Sequence, residues 1–232
     1  GKINAQINAC VRLLYIGENN KISAYEQVQS IQKTFESDKI LSDSVVNVKV
    51  NTDYVNCRAT SPRRVEIKAM LSFIFKMLRK GNETVLTSAD GCGIETLKKD
   101  YVYCDLKAVN EKSFNLTEVA EIPAAKPAIA RIISSSAYIS VTSTKIINNK
   151  MLLKGDCFIR VIYLSDGEFN TEITEHSIPV SQIIEIDGIT DGCETNLDLC
   201  VTACEALIKI DPSGENRLID FNIRASATVV AF

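Results

Sequence analysis

The residues of this chain that could do acid–base or nucleophilic chemistry are few, and their spacing works against it. The single histidine, His176, stands between Glu175 and Ser177, the residue types of a base, an orienting acid and a nucleophile. Neighbours along a strand point to opposite faces, whereas a triad needs convergence in space. His176 is therefore read as a hydrogen-bonded strand or turn residue, and its replacement by Ala is expected to leave partner binding largely intact. The acidic residues Glu168, Glu172 and Glu175, followed by Glu185, Asp187, Asp191, Glu194 and Asp198, lack the Asp-x-Asp-x-Asp-Gly spacing and closing Glu of a calcium loop. They read as a solvated rim.

Eight cysteines occur, at positions 10, 57, 92, 104, 157, 193, 200 and 204. None forms a CxxC pair, and one histidine cannot complete a zinc site of ordinary spacing. Cys200 and Cys204 would share one face of a strand, too far apart along it to bond. The thiols are expected to be free and to behave as small hydrophobes in a reducing compartment. The loop Ala89-Asp90-Gly91-Cys92-Gly93 has neither a following Lys-Ser/Thr nor a GxGxxG pattern, so no phosphate cradle is read there. No catalytic, cofactor-binding or metal-binding residue is assigned, and the chain is not expected to be an enzyme.

The bulk composition agrees. With 232 residues, 46% hydrophobic and 24% charged, the chain can build one large or two modest cores. A formal charge of −3 with no basic stripe excludes nucleic acid as the expected partner. No apolar run reaches the roughly 18 residues needed to span a membrane, and no signal peptide opens the sequence. A cytoplasmic location is expected. Residue 1 is Gly and strand-like sequence follows at once, which predicts a trimmed N-terminus.

The elements that would position any site read as β. In 150–188, Met151, Leu153, Gly155, Cys157, Ile159 and Val161 share one face of a strand. Ser165-Asp166-Gly167-Glu168 supplies a turn, and a return strand runs through Ser177-Ile178-Pro179. A similar unit lies near the N-terminus. Val11-Arg12-Leu13-Leu14-Tyr15 and its turn Gly17-Glu18-Asn19-Asn20 match Ile159-Arg160-Val161-Ile162-Tyr163 and its turn, and Ser30-Ile31 matches Ser177-Ile178. Val65-Glu66-Ile67-Lys68-Ala69 and Phe221-Asn222-Ile223-Arg224-Ala225 agree in type at every position. A spacing near 150 residues indicates duplicated domains rather than a solenoid. Between the copies, 84–87 and 95–107 read as strands, and so does 114–122. Pro127 followed by Ile129, Ile132 and Ile133 at i, i+3 and i+4 predicts one short helix over 128–135.

These readings give two related, antiparallel, sandwich-like β-sheet domains, the second with one short helix. Residues 1–83 form a first repeat lacking its N-terminal part, 84–113 are connecting strands, and 114–232 form a second, more complete repeat. The first repeat is expected to show an uncovered sheet face or edge, covered by a symmetry mate or by the other domain.

The order Ile122-Pro123, Lys126-Pro127-Ala128-Ile129, Ile132-Ile133, Lys154-Gly155, Ile162-Tyr163, then His176-Ser177-Ile178-Pro179-Val180-Ser181-Gln182 and Gly188 resembles the SPOCS domain. This family occurs in tandem in spore-coat morphogenetic proteins of spore formers. The likeness covers 114–232 well and 8–79 more loosely. The first repeat has Gln32 where the family's Ser-Ile-Pro pattern has Pro. The resemblance implies a protein–protein interaction or scaffold module in spore-coat or cell-envelope assembly, with coat or envelope morphogenetic proteins as partners and a homo-oligomer through an open sheet edge as a further expectation. The alternative is a ligand- or glycan-binding β module of the envelope, which the absence of Trp and the 6% aromatic content supply poorly. The acidic-rim reading is checked by thermal melting with calcium and then with EDTA. The expected result is an unchanged midpoint; an upward shift with calcium would show a bound ion.

Overall fold

Ten strands and no helix make up the regular structure of the residues described by the computed structural model, which are 1–17, 22–79, 81–82, 84–166 and 170–232. They are β1 (Lys2–Ile16), β2 (Ile22–Glu36), β3 (Val45–Ser61), β4 (Arg64–Leu78), β5 (Ala108–Glu121), β6 (Ile129–Ile147), β7 (Lys150–Ser165), β8 (Thr171–Glu185), β9 (Thr195–Lys209) and β10 (Leu218–Ala231). The chain divides into two compact units. One is Gly1–Ala9 with Gln29–Leu106, and the other is Cys10–Val28 with Lys107–Phe232.

The second unit contains two three-stranded antiparallel sheets, in the orders β5-β10-β9 and β6-β7-β8. Alternation decides what each strand buries. Along β7, Met151, Leu153, Gly155, Cys157, Ile159, Val161 and Tyr163 all face inward and are buried. Along β10, Ile219, Phe221, Ile223, Ala225, Ala227, Val229 and Ala231 do the same. Each is the middle strand of its sheet. These rows meet in one core with Ile178, Val180 and Ile184 of β8.

Strands β5 and β6 bind the two sheets together. The sheets approach each other at β6 against β9 and at β5 against β8. Ser135 of β6 donates to the Cys204 carbonyl of β9 at 2.9 Å. From β5, Lys112 Nζ donates to the Ile183 carbonyl at 2.7 Å and the Asn110 amide donates to that of Glu185. The connection 122–128 carries the chain from one sheet to the other. It is held by Arg217, which donates to the carbonyls of Pro123 and Lys126 at 3.0 Å each, and by the Tyr163 hydroxyl, which donates to Pro127 O at 3.1 Å.

The expected helix over 128–135 is a strand. Register shifts lie between Ile129 and Arg131 and between Ile132 and Ser134. Each bulge adds a residue, so the positions opposite buried Ser165, Tyr163 and Val161 are Ile129, Ile132 and Ser135. Two bulges thus space the inward residues three apart and imitate a helical period in β-branched sequence. The strands expected over 84–87 and 95–107 are also absent, since 79–106 has no strand among its described residues, and β5 begins at Ala108. Of the expected turns, Glu18, Asn19 and Asn20 and Gly167 and Glu168 lie outside the described residues. A turn not foreseen joins β6 to β7 through Asn148 and Asn149, both at positive φ (43° and 61°), the geometry a two-residue hairpin demands.

In the first unit the strands form two separate two-stranded sheets, β1-β2 and β3-β4. Phe35 of β2 stacks on Phe75 of β4 with ring centroids 4.9 Å apart. The far end of the β1–β2 hairpin is counted with the second unit. There Arg12 donates to Ser134 Oγ at 2.8 Å and to Ser135 O at 3.0 Å, and Arg131 donates to Ile22 O at 2.7 Å. Backbone hydrogen bonds at three places recur along the chain. Ser37 N to Gly1 O (3.1 Å) parallels Ile186 N to Asn149 O (2.8 Å). Ile40 N to Ser37 O (3.2 Å) parallels Ile189 N to Ile186 O (3.4 Å), and Ser44 N to Leu41 O (3.1 Å) parallels Cys193 N to Thr190 O (3.0 Å). In every pair the donors are 149 residues apart.

Gly155 tests the packing of β7 on β6. A Cβ there would lie 2.3 Å from the Ser140 carbonyl oxygen and 3.1 Å from the Val141 Cα, both backbone atoms that cannot rotate away. Gly155→Ala is expected to lower stability in urea by about 1–3 kcal/mol, the usual cost of overpacking. A change under 0.5 kcal/mol would mean that β6 yields there at little cost.

Candidate interaction surface

The core of the second unit leaves the outer face of the β6-β7-β8 sheet to solvent, and the register decides which residues share it. Tyr138, Phe158 and Ser177 lie side by side across the three strands, and Ser136, Arg160 and Glu175 form the next row. The Tyr138 and Phe158 rings stack at 5.2 Å between centroids and 24° between planes. Such a pair contributes about 0.5–1.5 kcal/mol beyond burial, yet Tyr138 remains 63% exposed. Beside it Arg160 Nε donates to Glu175 Oε1 at 2.8 Å, and the second guanidinium nitrogen is 2.7 Å from the same oxygen. Being solvated, this ion pair adds little stability. Ser136, Tyr138, Phe158, Arg160 and Glu175, with Ile159 and His176, line a depression of about 290 Å³. Ile173 and Ile183 of β8 are also exposed.

His176 sits apart from its sequence neighbours. It pairs with buried Ile159 on the inner side, its ring lies 5.4 Å from that of Phe221, tilted by 54°, and its Nε2 is 3.2 Å from Thr174 Oγ1. Glu175 is engaged with Arg160 on the outer face, and Ser177 is exposed opposite Phe158. The three residues that looked like a triad in sequence are therefore split between the two sides of the sheet. Burial holds the His176 imidazole below its ordinary pKa of 6.5, because the charged ring loses its hydration there.

The acidic residues do not gather either. Glu172 lies 3.7 Å from Lys126, and Glu185 lies 3.3 Å from Lys150. Among the described residues no three His, Cys, Asp or Glu side chains come close enough to hold a metal ion; Glu168 lies outside them. The eight thiols are free, but they are not uniformly buried. Cys157 is in the core, and burial followed by the nearby Cys204 raises its pKa to about 11. Cys10, Cys57, Cys92, Cys104 and Cys200 are exposed. Cys193 differs, since hydrogen bonds from the backbone and hydroxyl of Thr190 lower its pKa. The loop 89–93 has no strand or helix on either side.

Sequence reasoning missed the aromatic pair because Tyr138 and Phe158 are 20 positions apart and meet only through the bulged β6–β7 register. The Asn148-Asn149 dipeptide was the available signal, since a hairpin turn at that point sets this pairing.

Acidification reports on the inward placement of His176. The folded ring resists the proton that the unfolded chain binds near pH 6.5, so stability is full above that pH and falls as pH drops below it. The melting midpoint is expected to fall between pH 7 and pH 5, and less steeply in His176→Gln. Equal slopes would show that the ring is solvated in the folded protein.

Among the described residues no helix is long and apolar enough to cross a membrane. No curated protein and no solved structure matches the chain. One family model does match, over residues 128–209, a span running from the start of β6 to the end of β9 and carrying the whole aromatic face. Its description is SipL, SPOCS domain, so the resemblance read from the residues is found again over that stretch, which is similar to a SPOCS domain.

Proposed function

We propose that this chain is a non-enzymatic interaction module, a scaffold or adaptor whose exposed sheet surfaces bind other proteins during spore-coat or cell-envelope assembly. The observation that carries the reading is the outer face of β6-β7-β8 within the SPOCS stretch, where a stacked Tyr138–Phe158 pair stands in solvent. Aromatic side chains on a rigid sheet supply contact area at low entropic cost and are the commonest binding anchors. The dispersal of the ionisable groups around this face favours contact over chemistry. The partners are coat or envelope morphogenetic proteins, met on the cytoplasmic side.

The alternative, a glycan-binding module of the envelope, draws on the same aromatic pair, because stacked rings beside the polar Arg160–Glu175 couple suit a sugar face. The two readings separate in one experiment. The chain and its Tyr138→Ala, Phe158→Ala double variant are cross-linked in sporulating cells, and each is titrated with muropeptides. The adaptor reading expects the wild type to cross-link to coat or envelope proteins and the double variant to lose at least about 30-fold in affinity for them, the effect of removing an anchor worth about 2 kcal/mol. Unchanged cross-linking by the variant, with its circular dichroism intact, would contradict it. Saturable muropeptide binding without protein cross-links would establish the glycan reading instead.

A further inference from the structure

Strand β8 is an edge of its sheet, and side chains already occupy part of its main chain. It pairs with β7 without a register shift and with no other strand among the described residues. Such an edge presents a row of N–H and C=O groups that a further strand can pair with. Successive residues of an antiparallel strand turn these groups alternately towards the neighbour and away from it. In β8 the carbonyl of Ile173 accepts from Lys126 Nζ, that of Ile183 from Lys112 Nζ at 2.7 Å, and that of Glu185 from the Asn110 amide. All three positions are odd, so it is the odd-numbered residues that carry their main-chain groups to the open edge. Pro179 is odd too, and the N–H it lacks is one that this edge would have offered.

Core packing alone does not explain where two of these donors stand. Asn110 and Lys112 lie opposite Val229 and Ala227 of β10, in the same alternate row of β5 as Phe114 and Leu116. Phe114 and Leu116 are buried, whereas the start of the row is an amide and an ammonium that reach across to the other sheet. A polar group on the inner side of a sandwich costs stability unless it is hydrogen-bonded, and an apolar side chain at either place would remove more apolar surface from water. Inward-pointing charge is one of the means by which natural sheets blunt their edges. Lys126 lies on the connection between β5 and β6, where it is also 3.7 Å from Glu172. The donors thus stand at both ends of β8, with the proline between them.

We propose that Asn110, Lys112, Lys126 and Pro179 close the β8 edge against strand addition, and that the partner they exclude is the β8 edge of a second copy of this chain. Two copies of one edge meet antiparallel about a two-fold axis, an isologous contact. In a pairing centred on Ile178, Ile173 of each copy stands opposite Ile183 of the other, and Glu175 stands opposite Ser181. Ile173 and Ile183 are both exposed, so apolar meets apolar and no carboxylate faces another, the cross-strand pairing that favours association. The edge is self-complementary in sequence and shut by its guards. The idea goes beyond the adaptor reading, since it says how the chain avoids pairing with itself and concerns a different surface from the aromatic face.

The test compares the full chain with a variant carrying Asn110→Ala, Lys112→Met, Lys126→Met and Pro179→Val, and with a control, Lys33→Met with Lys76→Met, that loses the same charge elsewhere. Amide exchange resolved to single residues is followed over a wide range of protein concentration. In the parent and the control, the edge amides of Glu175, Ser177 and Ser181 are expected to exchange rapidly at every concentration. In the unguarded variant they gain protection as concentration rises, with self-association at least about 30-fold tighter than in the parent, because no bonds to charged donors have to be broken first. Concentration-dependent protection of these amides in the parent would overturn the proposal, as would its absence in the unguarded variant or an equal gain in the control. If that variant loses its circular dichroism, a second one that keeps Pro179 and replaces only the three donors decides the matter. It is expected to gain protection at Ile173 and Ile183, and no gain there would overturn the proposal. None of these outcomes touches the loss of partners expected of the aromatic-face variant, so the two readings fail separately.

Discussion

A β-sandwich holds only when the apolar side of each sheet is roofed along its length, and in this chain that roofing depends on two strands. Strands β5 and β6 each complete a sheet by pairing with its middle strand, and each sends side chains across to the opposite sheet. Where they are present, the rows of β7 and β10 are sealed. Burying each large side chain in those rows contributes roughly 1.5–3 kcal/mol, so the rows together supply much of what offsets the chain's conformational entropy. Among the described residues of the first unit no strands stand in those two places, and a row of the same character is left partly in solvent.

This contrast separates what was legible in the sequence from what was not. Period-two alternation made the inward row of β7 readable residue by residue, because a central strand with a buried face must repeat that way. The β4–β10 likeness was visible for the same reason. The segment after Pro127 was misread because two bulges gave Ile129 and Ile132 a spacing of three, and periodicity alone cannot tell that from a helical turn. β-Branched content was the better guide. In 79–106, apolar residues such as Leu97 and Val102 suggested strands, but a strand needs a partner and neither residue is covered at all. The interaction surface was hardest to foresee, since it consists of long-range neighbours. Tyr138 and Phe158 meet through register, and that register depends on a turn and on bulges which leave little trace in composition.

Functionally, the molecule separates its polar groups instead of converging them. Glu175 turns outward to Arg160 while His176 turns inward to Phe221. Glu172 and Glu185 of β8 are matched to Lys126 and Lys150, and burial raises the pKa of the Cys157 thiol. What remains is a broad, rigid outer face in the SPOCS stretch and two strand edges in the first unit.

The central claim is that the two copies share a pattern of inward residues but differ in whether strands roof it. Site-resolved amide hydrogen exchange on the isolated chain measures this directly. Amides of β7 and β10 are predicted to exchange only through global unfolding, while those of β1 and β4 exchange at least about 100-fold faster, through local opening. Equal protection of β4 and β10 would contradict the account, because it would mean that the first unit is already a closed sandwich.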